Sequence, residues 1–384
     1  MTSARPLDKA VLWLIGILHK QGYGITSRTV LPMVRQLVKR DSAYGILTVV
    51  VATLVAGIIA ECAIRLLGIA PSISGQYSHF TRTQFLPFGP KPLSHLTGRG
   101  GTGEFDYDLK HNSFGLRDDE HTLKKPKGVF RILGLGDSFT YGVGASFEKT
   151  YLYLLEQRLN ARAGMHPPVE IIKAGVPRYF PEVERMLLEN LGKKFDPDLV
   201  VVGFLPNDVI DTYLGLDAVT VDRSGFLLTR EAAELGPVGI VLYKYCHLCR
   251  LVLSRYVAWR IGKSYGPQWA DVYSQAGFHQ GDWGKVEDEY QKILSIAKGI
   301  GANLLILHIP QRGPWIAMHS YPPRRLEKWA RERGVHFLDV LPAMKRAAEA
   351  QPLYYPKDGH CTPEGYALIA NELLKYLNEK QLVP

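Results

Sequence analysis

The sequence predicts an α/β protein: a parallel sheet of about five strands, covered by helices on both faces and preceded by one transmembrane helix. Three observations predict it. From Val129 onward, short apolar runs alternate with amphipathic stretches of helical period, the pattern of a sheet assembled from β–α–β units. Ala43 to Ala60 is uncharged and long enough to cross the hydrocarbon core of a bilayer. The apolar run Arg131 to Gly136 stops at Asp137-Ser138, placing a hydroxyl at the C-terminal end of a buried strand, where open α/β sheets build their sites.

The N-terminal arm, residues 1–41, carries seven Lys/Arg against two Asp, and so holds +5 of the formal net charge of +9. Hydrophobic content of 46% and charged content of 22% are those of a globular chain. The body shows no Lys/Arg stripe interleaved with aromatics, which argues against a nucleic-acid partner. Within the arm, Val11 to Leu18 is apolar but too short to span; it reads as an interfacial segment with Trp13 at headgroup depth, or as a short helix. Residues 42–67 form the anchor, with the membrane engaged through 43–60; the alternative is a buried core helix. Arg28, Arg35, Lys39 and Arg40 precede the anchor and only Arg65 lies close behind it, so residues 1–41 are expected in the cytoplasm and the rest outside it, in the periplasm or extracellular space. The basic region before the apolar run is too long for a cleaved signal peptide, and Glu61 before Cys62 disfavours a lipoprotein signal. Residues 68–125, rich in Gly, Pro, Ser and Thr, read as an extracytoplasmic linker and lead-in to a domain over 126–384.

Five strands are predicted in that domain, near 130–136, 169–174, 199–205, 303–309 and 335–340. Helices fall near 148–163, 182–194, 285–300, 322–333 and 364–379, the last opened by Thr362-Pro363-Glu364. Residues 209–284 interrupt the alternation. They contain a basic and aromatic helical stretch, about 240–262, read as a lid, a substrate-side wall or a solvated accessory helix. Cys246 and Cys249 lie on it as a C-x-x-C without a second ligand pair at zinc spacing, so packing is expected ahead of redox or metal chemistry. The glycines 134, 136, 142 and 144 fit neither G-x-G-x-x-G nor a phosphate loop. No metal or other cofactor is called for.

A serine hydroxyl attacks only when a base takes its proton, and a carboxylate fixes that base's tautomer. Ser138, His360 and Asp358 are the candidates, the last two in the loop Tyr354 to His360, where proline and glycine disfavour helix and strand. In a flavodoxin-like strand order of 2-1-3-4-5, the loops after strands two and three flank Ser138. They carry Arg178 and Asn207. The backbone N–H groups of Ser138 and of the chain near Arg178, with the Asn207 amide, are the candidate oxyanion hole. Asp137 and Asp208 are expected to hydrogen-bond their own turns, and His308 and His336 to be structural.

This set of residues resembles the SGNH/GDSL hydrolase superfamily. Gly136-Asp137-Ser138-Phe139 looks like its first block, Asn207 like the asparagine of its third, and Asp358 with His360 like its last, followed by a similar Pro363-Glu364-Gly365 turn. His111 to Arg117 looks like a segment that precedes this domain in membrane-anchored members. The resemblance covers about 126–380 and implies a three-layer α/β/α sandwich, a metal-free serine mechanism and acyl esters of sugars or lipids as substrates. Arg178 stands where the second block usually has glycine, Lys173 where asparagine is common, and Asp358 lies two residues before His360 instead of three. That spacing also occurs in related alginate-type O-acetyltransferases. Three readings are therefore carried: an esterase removing O-acyl groups, acetyl foremost, from a glycan or other envelope molecule; an O-acyltransferase using the same residues; and a degenerate, non-catalytic glycan-binding or assembly protein.

Overall fold

A computed structural model of the chain describes residues 42–67, 75–161, 167–265, 280–312 and 321–384. The basic arm and its Val11–Leu18 run lie outside the described residues. The chain divides into two units, Met1–Ala70 and Pro71–Pro384. In the first, helix α1 covers Ser42–Leu66. Within its stretch Tyr44–Leu66, 23 residues long, an 18-residue window has a mean hydropathy of 2.3 and no buried residue. At 1.5 Å per residue this length exceeds the ~30 Å of a bilayer's hydrocarbon. Its threonines stay inside the helix's own bonding: Thr48 Oγ1 donates to Tyr44 O (2.8 Å) and Thr53 Oγ1 to Val49 O (2.7 Å).

The second unit opens with two short antiparallel pairs, β1 (Phe80–Thr81) with β2 (Gly89–Pro90) and β3 (His95–Arg99) with β4 (Asp106–Lys110). Then come β5 (Phe130–Gly136), the four-residue helix α2 (Ser138–Tyr141), α3 (Tyr151–Asn160), β6 (Val169–Gly175), α4 (Pro181–Asn190) and β7 (Leu199–Phe204). The interruption holds α5 (Asn207–Leu214), a hairpin of β8 (Val219–Val221) and β9 (Leu227–Thr229), α6 (Arg230–Ala233), α7 (Gly236–Tyr245) and α8 (His247–Tyr265). The chain returns through α9 (Gln280–Gly299), β10 (Asn303–His308), α10 (Tyr321–Glu332), β11 (His336–Asp339), α11 (Leu341–Ala347) and α12 (Pro363–Glu379).

Five strands pair in parallel in the order β11-β10-β7-β5-β6. Numbered as sheet strands, this is the flavodoxin-like 2-1-3-4-5. The reason is in the strands. Leu-Val-Val-Val-Gly-Phe in β7 and Leu-Leu-Ile-Leu in β10 are apolar on both faces, as a doubly covered parallel sheet requires. Leu133, Val200 and Ile306 face one core with α4, α9 and α10; Ile132, Val201 and Leu305 face the other with α3, α11 and α12. The molecule is thus a three-layer sandwich.

Two expectations change. Residues 75–125 are more than a linker: Phe80, Phe88 and Leu116 lie in the first core, with exposures of 0, 1 and 3%. And 240–262 is not one helix. Cys246 breaks it with an extended backbone (φ −105°, ψ 112°), and Cys246 and Cys249 are joined as a disulfide instead of merely packing.

The lead-in docks through histidines. His79 and His111 are buried and stacked at 4.5 Å, and His111 bonds the Tyr141 hydroxyl (2.8 Å) and Ser94 Oγ (3.0 Å). Burial, helped by each other's charge and by Lys91, lowers His79 to about 3; burial with the nearby Arg117 lowers His111 to about 4. The unfolded chain therefore takes up these protons first as pH falls below the ordinary histidine value of about 6.5. Stability is expected to fall by about 1–2 kcal/mol per pH unit between about 6.5 and 4. Urea titrations at several pH values check this: a His79→Phe/His111→Phe variant should show a flatter pH dependence, and an unchanged slope would refute the assignment.

Candidate active site

Ser138 is placed by a gap at the end of the sheet. Gly136 ends β5, opposite Gly175 of β6 and Gly203 of β7. A Cβ on any of the three would overlap Thr140. The absence of side chains on three adjacent strands lets α2 drop onto the sheet edge, where Thr140 Oγ1 reaches the Tyr151 hydroxyl (3.0 Å). Asp137 caps the helix, its Oδ1 accepting from Phe139 N (2.9 Å), which is the local turn role expected of it. The far end of the turn is held by Arg117, buried to 3% exposure. Its guanidinium donates to the carbonyls of Tyr141 (3.0 Å), Gly142 (2.9 Å) and Ala145 (2.8 Å).

The loop before α12 brings the other groups. Tyr355 N donates to His360 O (2.9 Å), Gly359 N to Tyr355 O (3.1 Å), and Gly359 takes φ 88°, a left-handed value suited to glycine. Glu104 reaches across from the β3–β4 turn. Its carboxylate accepts from the backbone N–H of Asp358 (2.7 Å) and of Lys357 (3.0 Å). The result is a row: Asp358 Oδ1 to His360 Nδ1 at 2.5 Å, and His360 Nε2 to Ser138 Oγ at 2.8 Å. Phe139 packs on the imidazole at 4.8 Å. A hydroxyl bonded to an imidazole whose far nitrogen is held by a carboxylate can pass its proton to that ring while attacking a carbonyl.

Arg178 and Asn207 lie on either side of Ser138 and line the same cavity of about 490 Å³. Arg178 has φ 69°, the left-handed region that glycine adopts without penalty. Its Nη2 bonds Asp211 Oδ1 (2.9 Å), and the side chain is 39% exposed, so the cation is neither turned fully into solvent nor unpaired above the serine. Asn207 accepts at Oδ1 from Gln311 (2.5 Å), which turns its NH₂ the other way, with Nδ2 at 3.3 Å from Asp211 Oδ2. Asp211, four residues after Asn207 on α5, thus holds both flanking residues. The cavity wall comes from the β8–β9 hairpin, through Val219, Leu227 and Leu228, and not from the 240–262 stretch expected as a lid or wall.

Beneath the serine the carboxyls are buried and crowd one another. Burial pushes Asp137 up to about 6, partly offset by the Phe139 N–H and His360. Glu184 and Asp208, fully buried, are pushed well above the carboxylate range by burial first, then by Asp137 in the case of Glu184 and by Glu184 and Asp137 in the case of Asp208. Asp211 is raised by burial, with Arg178 pulling the other way. Asp208 accepts from Leu205 N (2.9 Å), the turn role expected of it. Lys173 is bonded to Asp118 (2.9 Å) and Glu156 (2.7 Å), away from the serine, and His308 to Asp339 (2.7 Å). Sequence reasoning missed Glu104, Arg117 and Asp211. Only the last left a signal, its i+4 spacing from Asn207 on one helix face.

The model of the GDSL-like lipase/acylhydrolase family matches residues 135–368. That is more than half of the chain, and the chain belongs to this family: it is a GDSL-type ester hydrolase. No curated protein matches it. Solved structures similar to it include a two-domain esterase active on acetylated mannans (15% identity, 67% of this chain and 51% of that one, TM-score 0.37). A catalytic mutant of an acetylxylan esterase from Geobacillus stearothermophilus is 13% identical over 65% of this chain and 94% of its own, with a TM-score of 0.40. An α/β hydrolase from the metagenome of Lake Arreo, Spain, is 15% identical over 65% and 95%, with a TM-score of 0.41.

The backbone at Arg178 makes a prediction with an unusual sign. Both Arg178→Ala and Arg178→Gly leave Asp211 without its cation, but only alanine keeps a Cβ at positive φ. The glycine variant is expected to be the more stable of the two by about 1 kcal/mol, measured by chemical denaturation. Equal stabilities would mean that φ at 178 carries no strain.

Proposed function

We propose that this protein is a membrane-anchored serine esterase, with its catalytic domain outside the cytoplasm, that removes O-acyl groups, acetyl foremost, from a glycan or other envelope molecule. The observation that carries the reading is the row Asp358–His360–Ser138 at one end of an open cavity. In this proposal Ser138 attacks the acyl carbonyl as His360 Nε2 takes its proton. Asp358 holds Nδ1–H and stabilises the imidazolium, which then returns the proton to the departing sugar oxygen. Water repeats the sequence on the acyl-enzyme. The backbone N–H groups of Ser138 and Arg178 make none of the turn hydrogen bonds around them, which suits them to an oxyanion. The Asn207 amide supplies the third donor, its long 3.3 Å contact to Asp211 giving way to the developing charge. Anchoring rests on α1 and on the basic residues before it. The Cys246–Cys249 disulfide is of a kind that persists in oxidising compartments and supports the extracytoplasmic side. The Asp-x-His spacing favours a second reading, O-acyl transfer, in which a sugar hydroxyl replaces water.

Ser138→Ala should remove fluorophosphonate labelling and lower ester turnover on the order of 10⁴-fold or more with the fold intact. A fully labelled alanine variant would sink the assignment. With an acylated donor and a sugar acceptor present, free acid as the main product supports the esterase and acylated acceptor the transferase.

Glu104 acts through Asp358 and is a positioning residue. Glu104→Ala should lower kcat by about 10- to 100-fold with KM little changed, since a shift of about 1 Å in a catalytic group has that cost. Glu104→Gln, which keeps an acceptor oxygen, should recover part of it. Loss confined to thermal stability would show that Glu104 only braces the loop.

A further inference from the structure

Helices α7 and α8 pack Ile240, Tyr243 and Val257 inward but carry a second apolar stripe that faces outward. On α7 the residues at i, i+3, i+4 and i+7, Val238, Val241, Leu242 and Tyr245, are 74, 55, 40 and 59% exposed. On α8 the same spacing gives Val252, Arg255, Tyr256 and Trp259, with the three apolar members 51, 43 and 58% exposed. Two of the five cations of this stretch meanwhile are inside. Lys244 is 6% exposed, bonded to Asp222 (2.7 Å) and set over the Phe226 ring at 3.9 Å. Arg250 is 3% exposed and donates to the Tyr243 carbonyl (2.6 Å). A helix packed on a water-soluble domain turns its apolar residues inward; here two consecutive helices turn a further stripe of them outward.

Composition says what covers this face. Residues 236–265 contain five Lys/Arg and no Asp/Glu. Arg255 and Lys263 share the exposed side of α8 with Tyr256 and Trp259, and the Lys263 ammonium lies 5.3 Å from the Trp259 ring. Aliphatic side chains beside Trp and Tyr, with Arg255 and Lys263 among them and Arg260 paired to a neighbouring carboxylate, Glu234, match a bilayer surface, where aromatic rings sit at headgroup level and lysine and arginine meet lipid phosphates. A bilayer is also within reach. Seven residues separate Leu67 from Gly75, and fully extended the connection spans at most about 30 Å.

We propose that the outward face of α7 and α8 rests on the anionic surface of a lipid bilayer, holding the domain down on the membrane that α1 crosses. The tether part of this rests on the anchor reading above; the outward stripe does not. The segment leads into the cavity wall, because Lys244 is pinned to Asp222 and Ser224 in the β8–β9 hairpin. Docking therefore presents the cavity's neighbourhood to membrane-borne esters.

The test uses the full chain in nanodiscs of phosphatidylcholine with or without phosphatidylglycerol, with acyl chains brominated or not. Comparing wild type with Trp259→Phe isolates one of the six tryptophans. Unchanged hydrolysis of a soluble aryl ester shows that the variant is folded. Bromine should quench roughly half of the emission due to Trp259, because interfacial helices seat their apolar face about 5–10 Å into the boundary. Quenching should grow with phosphatidylglycerol and weaken in 1 M salt, where the screening length is about 3 Å. Absence of Trp259-dependent quenching in anionic discs overturns the proposal. So does a Trp259 signal that follows protein concentration instead of lipid, which would assign the face to a second copy. Alkaline carbonate extraction separates the two readings. A chain that resists extraction but shows no Trp259 quenching keeps its anchor and loses the docking face. One that is extracted yet shows salt-sensitive quenching on anionic vesicles keeps the docking face and loses the anchor.

Discussion

The close approach of Thr140 to three strand ends is the contact on which the rest of the site depends. Gly136, Gly175 and Gly203 stand side by side across β5, β6 and β7, and each leaves room that a Cβ would fill. Helix α2 can therefore begin one residue after the strand, and Ser138 stands at its first position instead of being lifted off the sheet edge. Everything else is arranged around that point. The loops after β6 and β7 end at the same height because their strands end in register, so Arg178 and Asn207 flank the serine without any long excursion of chain.

The nucleophile turn is short, and four residues of helix contribute little order of their own. Its rigidity is borrowed from the lead-in. Arg117 takes three carbonyls of the turn, His111 takes the Tyr141 hydroxyl, and Glu104 takes the backbone of the loop that carries Asp358. Lys173 and Asp118 fasten the same lead-in to β6. Burying such charges is costly unless they are paired or hydrogen-bonded; Lys173 is paired with Asp118 and Glu156, and Arg117, its Nε excepted, is bonded to three carbonyls. The segment before the sheet thus braces the turn and the loop that carry Ser138, Asp358 and His360. Its length of unremarkable Gly, Pro and Ser is what a chain needs to cross a domain surface and deliver a few polar contacts.

Charge is distributed unevenly about the serine. Asp137, Asp208, Asp211 and Glu184 are buried close together; burial raises all four, and repulsion adds to it at Asp137, Asp208 and Glu184. The positive partners are few: Arg178 on Asp211 and, when protonated, His360 near Asp137. The insertion inverts this economy, keeping Lys244 and Arg250 inside and apolar side chains outside.

Local sequence determined what depends on local pattern. The five strands and their order followed from apolar runs of strand length separated by helical periods, since strands buried on both faces cannot be written otherwise. That Ser138, Asp358, His360 and Asn207 lie together was legible because loops at strand ends carry side chains to one edge, and the topology fixes which loops share it. The membrane-length helix was legible from length and hydropathy alone. Tertiary structure decided the rest. Glu104 lies 254 residues from the backbone it holds, and no local periodicity encodes such a pairing. Arg178 read as a glycine replaced by a cation; only the fold showed that it keeps the glycine's φ and gives its charge to Asp211. The 240–262 stretch read as one helix because helical period survives a single extended residue. Its division at Cys246, and the outward turn of its apolar stripes, depend on what lies opposite each face, and a one-dimensional pattern contains no record of that.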